Sequence, residues 1–538
     1  MNYNFIKKIA VFIAISMGIF HLYTSAFGIL EAYLQRSIHL GFVLLILYLT
    51  IPHSKNKKIA NKSINIFFFQ IIPFFLTIII ETYIIINHYD ILIRAGSPTF
   101  LDLIIGALTI ILVLEATRRV VGLAMVIIAI FALIYTCFGP WMPLIIAHGG
   151  WNIKSIIDQQ FLGYSGIFGI PLGVMATYLI IFLLFGSFLK NIRVSDYYNN
   201  LAIFLVGKAI GGPAKAAVLA SAFMGTISGS AVSNVATTGI ITIPLMKKSG
   251  YSGVFAGAVE AVASSGGQFM PPIMGASAFI MAEYLGIRYL DVCMSAAIPA
   301  FFYFFSIFMM IHYYSLKKDL KIIAKDKILS KREIIKGLYN LFPIIILITF
   351  LVYGFTPLIA GVYGIISIII LGIFTKRLTI NSFFRSLEQG AKSSVLVSVT
   401  GACAGIIICS LTSTGLGLRM SSIIEVISKG NLLITLFLIM ITSIVLGMGV
   451  PTVGAYIILA SVIAVKLVYM GVEPIAAHLF IFYFAIISAI TPPVALAAYT
   501  GAGIAQSDPW KTGVMAFKMG IAAFLIPFYF VYHENKEI

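Results

Sequence analysis

Two stretches of this chain carry the same pattern of interruptions. The first holds Gly225, then Ser228-Gly229-Ser230-Ala231-Val232-Ser233-Asn234, and closes with Phe269-Met270-Pro271-Pro272-Ile273. The second runs from Gly447-Met448-Gly449-Val450-Pro451-Thr452 to Ile490-Thr491-Pro492-Pro493-Val494. Gly250 stands 21 residues before Pro271, and Gly471 stands 21 before Pro492, so the copies lie 221 residues apart. Each copy breaks apolar sequence with small and polar residues. Matched breaks in the two halves of a membrane chain mark half-helices that enclose a binding site at mid-membrane.

Composition puts the chain in lipid. Of its 538 residues 60% are hydrophobic and 10% charged, with a mean hydropathy of +1.04. A water-soluble domain cannot cover that much apolar surface, and many runs exceed the length that spans a bilayer. The net charge of +17 comes from 36 Lys and Arg against 19 Asp and Glu. These cations gather in loops, as the positive-inside rule expects, so nucleic acid is not implied. Cys137, Cys293, Cys403 and Cys409 are scattered, with no CxxC and no His/Cys cluster. Neither a metal site nor a disulfide framework follows. The start, Met1 to Lys8 before an apolar run, has the outline of a signal peptide. It contains His21 and Tyr23 and lacks a small-residue cleavage site, so it reads as an uncleaved first helix.

Apolar runs predict helices near 9–27, 39–52, 64–87, 100–117, 119–138 and 165–189. Lys7 and Lys8, the basic loop 53–62, Arg118 and Arg119, and Lys190 and Arg193 fall on one side, which places the N-terminus in the cytoplasm. Segment 214–247 is broken by small residues and has basic residues at both ends, so it reads as a re-entrant hairpin. A helix broken at Gly266-Gly267 and Pro271-Pro272 follows, then a span near 291–314. Leu316 to Lys336 is a cytoplasmic linker, in which Leu316, Leu320 and Ile323 recur at helical spacing. Spans near 336–354 and 357–375 come next. Ile380, Phe383, Phe384 and Leu387 predict a separate amphipathic helix lying in the interface, with a shorter counterpart at Ile153, Ile156 and Ile157. A span near 391–410 precedes a second hairpin at 432–467, with Lys429 and Lys466 at its mouths. A helix broken at Thr491-Pro492-Pro493 and a last span at 513–532 complete the chain. The fold class is an all-α polytopic membrane protein with inverted repeats, two re-entrant helical hairpins and two discontinuous helices. Residues 1–138 form a module of four to five helices. Residues 139–538 form the larger one, with repeats at about 150–314 and 337–510 joined by the linker 315–336.

The breaks carry the chemistry. Half-helices that end inside the membrane leave carbonyls free at one end and N–H groups at the other. Carbonyls together with Ser, Thr and Asn oxygens make a shell suited to Na⁺, and the exposed N–H groups suit an anionic solute. Glycines at 225, 229, 266, 267, 447 and 449 let backbone approach an ion. Prolines at 271, 272, 451, 492 and 493 keep the helices from closing the gaps.

The runs 225–234, 266–275 and 447–452 resemble the large membrane subunit of the TRAP (tripartite ATP-independent periplasmic) transporters. The likeness covers roughly residues 150–535. Residues 9–138 resemble the small membrane subunit fused to the large one, a form typical of the branch served by TAXI-type binding proteins. The resemblance implies Na⁺-driven uptake of a small organic anion across a bacterial inner membrane. It also implies an elevator motion of the two-hairpin domain and delivery by a separate extracytoplasmic binding protein. By the same resemblance one Na⁺ sits by Ser228, Ser230 and Asn234, with Gly266 and Gly267 facing it. A second sits by Gly447, Gly449 and Thr452, with Thr491 facing it. Ser233, Gln268, Pro271, Pro451, Pro492 and Arg419 are the candidates for solute contact.

Few charges remain within the spans. Glu260 lies two turns from the first break, among small residues, and reads either as a functional acid or as a hydrogen-bonding group at a helix contact. Glu283 and Asp291 read as solvated, and His478 as interfacial rather than as a proton carrier. Arg419 has three readings: a carboxylate clamp, a contact for an acidic patch on a docked binding protein, or a headgroup anchor. The rival functions are a stand-alone Na⁺/carboxylate symporter and, more distantly, a membrane-embedded enzyme. The enzyme reading lacks a nucleophile with its base, a metal cluster or paired acids.

Overall fold

The computed structural model describes residues 3–53, 66–320 and 329–534. The regular structure among them is entirely helical. Among the described residues ten helices are long and apolar enough to cross a membrane, including Phe5–Phe27, Ala32–Thr50, Phe100–Val120 and Tyr289–Lys317. Hydrocarbon offers backbone groups no water, and a helix satisfies its own. The chain is a multi-pass membrane protein.

Two compact units divide it. The first gathers Met1–Phe188, Thr379–Ile424 and Ser461–Ile463; the second gathers Leu189–Leu378, Glu425–Ala460 and Ala464–Ile538. In the first unit the helix Ala32–Thr50 starts seven residues before the apolar run at 39. Its leading turns carry Gln35, Ser37 and His39, which hydropathy counts against a span. The unit buries all three. Gln35 Nε2 donates to the Ala176 carbonyl at 3.2 Å. The His39 ring lies between His21 at 2.9 Å and Ser398 Oγ at 2.8 Å. Tyr33 donates its hydroxyl to the Phe161 carbonyl at 2.8 Å.

The separate interfacial helix expected at Ile380–Leu387 is not present. Those residues are the first turns of one 34-residue helix, Ile380–Ser413, capped by Thr379 and Ser382. Between Leu387 and Ala391 only Gly390 disfavours a helix, and it is packed against Leu184, so the amphipathic turns and the span run on together. At 1.5 Å per residue this helix is about 50 Å long, well beyond the hydrocarbon thickness. The helix Tyr289–Lys317 is capped at Lys318, which leaves Leu320 outside it; Ile323 and most of the basic loop 53–62 lie outside the described residues.

The second unit holds the repeat. Helices Gly212–Ser228 and Ala231–Lys248 pack as a hairpin. Gly253–Gly266 follows, then a tight turn at Gly267–Phe269, the two prolines, and Ala276–Leu285. The second copy is Leu432–Gly447, Thr452–Leu459, Pro474–Ile487, the turn Ser488–Ile490, and Leu496–Ala505. The 221-residue offset holds at the helix starts Ala231 and Thr452, at Gly253 and Pro474, and at the ends Gly266 and Ile487. It also relates Met274 to Ala495, both at positive φ, and the Pro271-Pro272 and Pro492-Pro493 bonds are both cis. Beyond that point the offset falls to 220, because Gly275 has no counterpart.

The two copies meet in the core of this unit. A methyl group on Gly501 would lie 2.6 Å from the Gly257 carbonyl oxygen, so the broken helices cross there backbone to backbone. Phe269 stacks on Tyr483 with ring centroids 4.3 Å apart. The last candidate span, Pro509–Tyr532, is made of two successive helices, Pro509–Met519 and Ile521–Glu534. The turn between them is at Gly520, where a methyl group would press to 2.7 Å from Ile490 Cδ1.

Candidate functional site: two matched helix breaks

The first break begins at Gly229, whose φ of 62° ends the helix in the left-handed region that glycine adopts without strain. Ser230 then starts the next helix as its N-cap, accepting from the Ser233 N–H. Asn234 is fully buried one turn later. Its Nδ2 donates to the Ser221 carbonyl at 2.8 Å, while its Oδ1 has no hydrogen-bond partner. A buried amide oxygen with no donor costs about 1–3 kcal/mol unless something else meets it. Beside it the hairpin and the broken helix bring glycine against glycine. A methyl group on Gly267 would lie 2.6 Å from the Gly225 Cα and 3.1 Å from the Ser221 carbonyl oxygen. The chain returns past Pro271 and Pro272 to set Gly275 against Gly229. Two more buried polar atoms here lack partners, Ser265 Oγ and Gln268 Nε2. Gly266 turns away, toward Tyr303 and Phe304. Ser233 is exposed and Pro271 half-buried. The Ser228 side chain lies outside the described residues.

Behind this break stands Glu260, fully buried. Ser221 Oγ donates to its Oε1 at 2.6 Å and Thr242 Oγ1 to its Oε2 at 2.5 Å. Thr238 and Ser264 also bond to Oε1. Four hydroxyls from three helices thus hold one acid. Ser221 ties the acid to the break: its hydroxyl meets Glu260 and its carbonyl meets Asn234.

The second break has the same plan with other parts. Gly449 takes a φ of 77°, and Thr452 opens the next helix behind Pro451. Ser488 donates to the Gly447 carbonyl at 3.1 Å, and a methyl group on Gly447 would lie 2.6 Å from Ser488 Oγ. Thr491 is buried and donates to the Ile487 carbonyl at 2.9 Å. Ser443 Oγ and Tyr483 OH are buried without partners. Pro492 stands in the loop before Ala495, and its ring neighbours the place a side chain on Gly513 would take. Among the described residues no three His, Cys, Asp or Glu side chains gather as a metal cluster.

Residues 108–533 match the family described as Tripartite ATP-independent periplasmic transporter, DctM component. The chain belongs to the TRAP transporters. It is 24% identical to the isethionate TRAP transporter permease protein DctMQ of Oleidesulfovibrio alaskensis over 68% of the chain; the matched part is 57% of that relative's length. It is 22% identical to the sialic acid TRAP transporter large permease protein SiaM of Vibrio cholerae, over 65% of the chain and 81% of that protein. An uncharacterized Salmonella typhimurium protein, YgiK, is 22% identical over 69% of the chain and 84% of its own length. This family is one of transporters rather than enzymes, and the DctMQ relative fits a fused small-plus-large subunit.

In this TRAP permease the first unit contains Arg419 and the second contains both breaks. Arg419 sits on the helix Leu416–Ser428, which the sequence did not announce. His478 is buried and bonds to the Tyr456 hydroxyl at 2.8 Å. Lys466 is buried and paired with Glu425 at 2.8 Å. Glu283 is exposed, and Asp291 pairs with Arg288 at 2.7 Å. Sequence reasoning passed over Ser488 and the four hydroxyls around Glu260. Ser488 was findable, since it stands 221 residues after Gly267. Thr238 and Thr242, one turn apart, signalled a polar stripe, but nothing local tied them to Glu260.

Proposed function

We propose that this chain is the permease of a tripartite Na⁺ symporter that imports a small organic anion. A separate extracytoplasmic binding protein, of the TAXI type, delivers the solute. The permease lies in a bacterial inner membrane with its N-terminus in the cytoplasm. Each hairpin enters the membrane and leaves it on one side, the first from the cytoplasm and the second from outside, and the unit that carries them moves as an elevator. Residues 1–138 serve as the fused scaffold module.

One observation carries this reading. The buried Asn234 Oδ1 lacks a donor at the point where Gly225 and Gly267 bring two backbones together. Such an oxygen is free to coordinate a cation, and main-chain carbonyls beside it complete an oxygen shell. Gly447, Gly449, Thr452 and Thr491 form the second ion station, and the half-helix N-termini near Ser233 and Pro451 face the anion, with the unpaired Gln268 Nε2 as a further donor. The relatives named for isethionate and sialic acid support an organic anion as solute.

The test is uptake of labelled organic acids by proteoliposomes containing the full chain. Uptake that requires both an inward Na⁺ gradient and the binding protein is expected. Na⁺-driven uptake without any binding protein would replace this reading with the stand-alone symporter. Uptake indifferent to Na⁺ would remove the ion assignment.

A further inference from the structure

The second unit contains a cavity of about 710 Å³ unrelated to the two breaks. It lies where the apolar helix 170–191 ends, where the apolar helix Leu338–Val352 begins, and where Pro357–Phe374 ends. Three separate segments bring cations to it: Arg193, Lys336, and the pair Lys376 and Arg377. Asp196 and Glu333 also line it. Four cations less two acids leave a net charge of +2. Glu333 is already engaged, because its Oε2 accepts from the Ser330 N–H at 2.8 Å and from its hydroxyl at 2.7 Å.

The cavity has a built frame. The Arg377 guanidinium is held in place by Asn340 Oδ1 at 3.1 Å and the Tyr339 hydroxyl at 3.0 Å. The Tyr197 ring lies against Gly337, where a methyl group would come within 2.7 Å of it, and its hydroxyl donates to the Ile334 carbonyl at 3.1 Å. Arg193 and Lys376 each occupy the left-handed region, at φ 61° and 55°. Glycine or asparagine would rest there with less strain. A long basic side chain at both positions brings charge to the cavity at a local cost.

The surroundings select the ligand. From the cavity, Leu338, Phe342 and Ile345 run along one apolar helix and are 47%, 44% and 54% exposed. An anion with nothing attached has no use for that track, whereas a phospholipid does. Guanidinium and ammonium groups meet phosphate oxygens well, and basic pockets between membrane spans are where anionic headgroups settle. We propose that this cavity seats the phosphate of an anionic glycerophospholipid, with its acyl chains along Leu338, Phe342 and Ile345. The site is independent of the solute and of the coupling ion.

The experiment is thermal unfolding of the full purified chain with phosphatidylglycerol, phosphatidylcholine or inorganic phosphate added. Phosphatidylglycerol should raise Tm, and the other two should not. The double variant Arg193→Gln/Lys336→Gln should lose at least half of that rise. Arg193→Lys/Lys336→Arg should keep it, and so should Lys317→Gln/Lys318→Gln, which removes two charges elsewhere. An equal rise with phosphatidylcholine, or an undiminished rise in the first variant, overturns the proposal. A rise reproduced by inorganic phosphate reassigns the cavity to a free anion and also overturns it. Should the first variant not fold, native mass spectrometry of the wild-type chain decides. Retained phosphatidylglycerol in preference to phosphatidylcholine supports the site, and no preference overturns it.

Discussion

Gly267 has no room for a methyl group, because what it meets is backbone and cannot rotate aside. Gly267→Ala should cost about 1–3 kcal/mol, the range for overpacking a close-packed interior, read as a lower midpoint of denaturation in detergent. Glu260→Ala deprives four buried hydroxyls of their shared acceptor. It should cost about 1–3 kcal/mol or more, whereas Glu260→Gln keeps one accepting oxygen and should lose less; the same denaturation midpoints compare them. If Asn234 and Thr452 face the coupling ions, Asn234→Ala and Thr452→Ala each remove one oxygen. Each should raise the Na⁺ concentration for half-maximal uptake about tenfold, the effect of 1.4 kcal/mol. Unchanged Na⁺ dependence in both would remove these residues from the ion sites. Residues of this kind differ in how openly sequence shows them. Gly225, Gly267 and the proline pairs are legible because their effect on the backbone is local. The partners of Glu260 are not, because Ser221, Thr238 and Ser264 come from three helices and meet only after packing.

Helices were legible where apolar length decided them and illegible where tertiary contacts did. The start of Ala32–Thr50 was hidden by Gln35, Ser37 and His39, polar residues that hydropathy assigns to water and the first unit buries. The turns at Ile380 looked interfacial when judged alone, yet they continue into Ser413. The chain His21, His39, Ser398 ties three helices by two ring hydrogen bonds. His39→Leu would leave the buried Ser398 hydroxyl and the Nε2 of His21 without the partner that His39 supplies, at about 1–3 kcal/mol. The expected result is a clearly lower Tm with membrane insertion unaffected, read by thermal unfolding beside a membrane-fraction blot.

At the scale of the molecule, the four cysteines are free, and Cys293, Cys403 and Cys409 are buried. Reductant should therefore leave Tm unchanged, and a bulky maleimide should label Cys137 first; mass spectrometry of the labelled chain reads both the site and the order. The division into two units was not visible in composition, because apolar sequence of one kind fills both. The repeat was visible, and the structure adds that it is unequal. Gly275, the residue that meets the first tip, is the one the second copy lacks. There the nearest atom to a side chain on Gly449 is a methyl of Val494, at 3.8 Å. Two identical stations would fill together along a single curve. If the two breaks are the ion stations proposed above, one closed by backbone and the other by a side chain should bind with different affinities. Na⁺ occupancy measured against concentration would then rise in two distinguishable steps, and a single step would count against unequal stations.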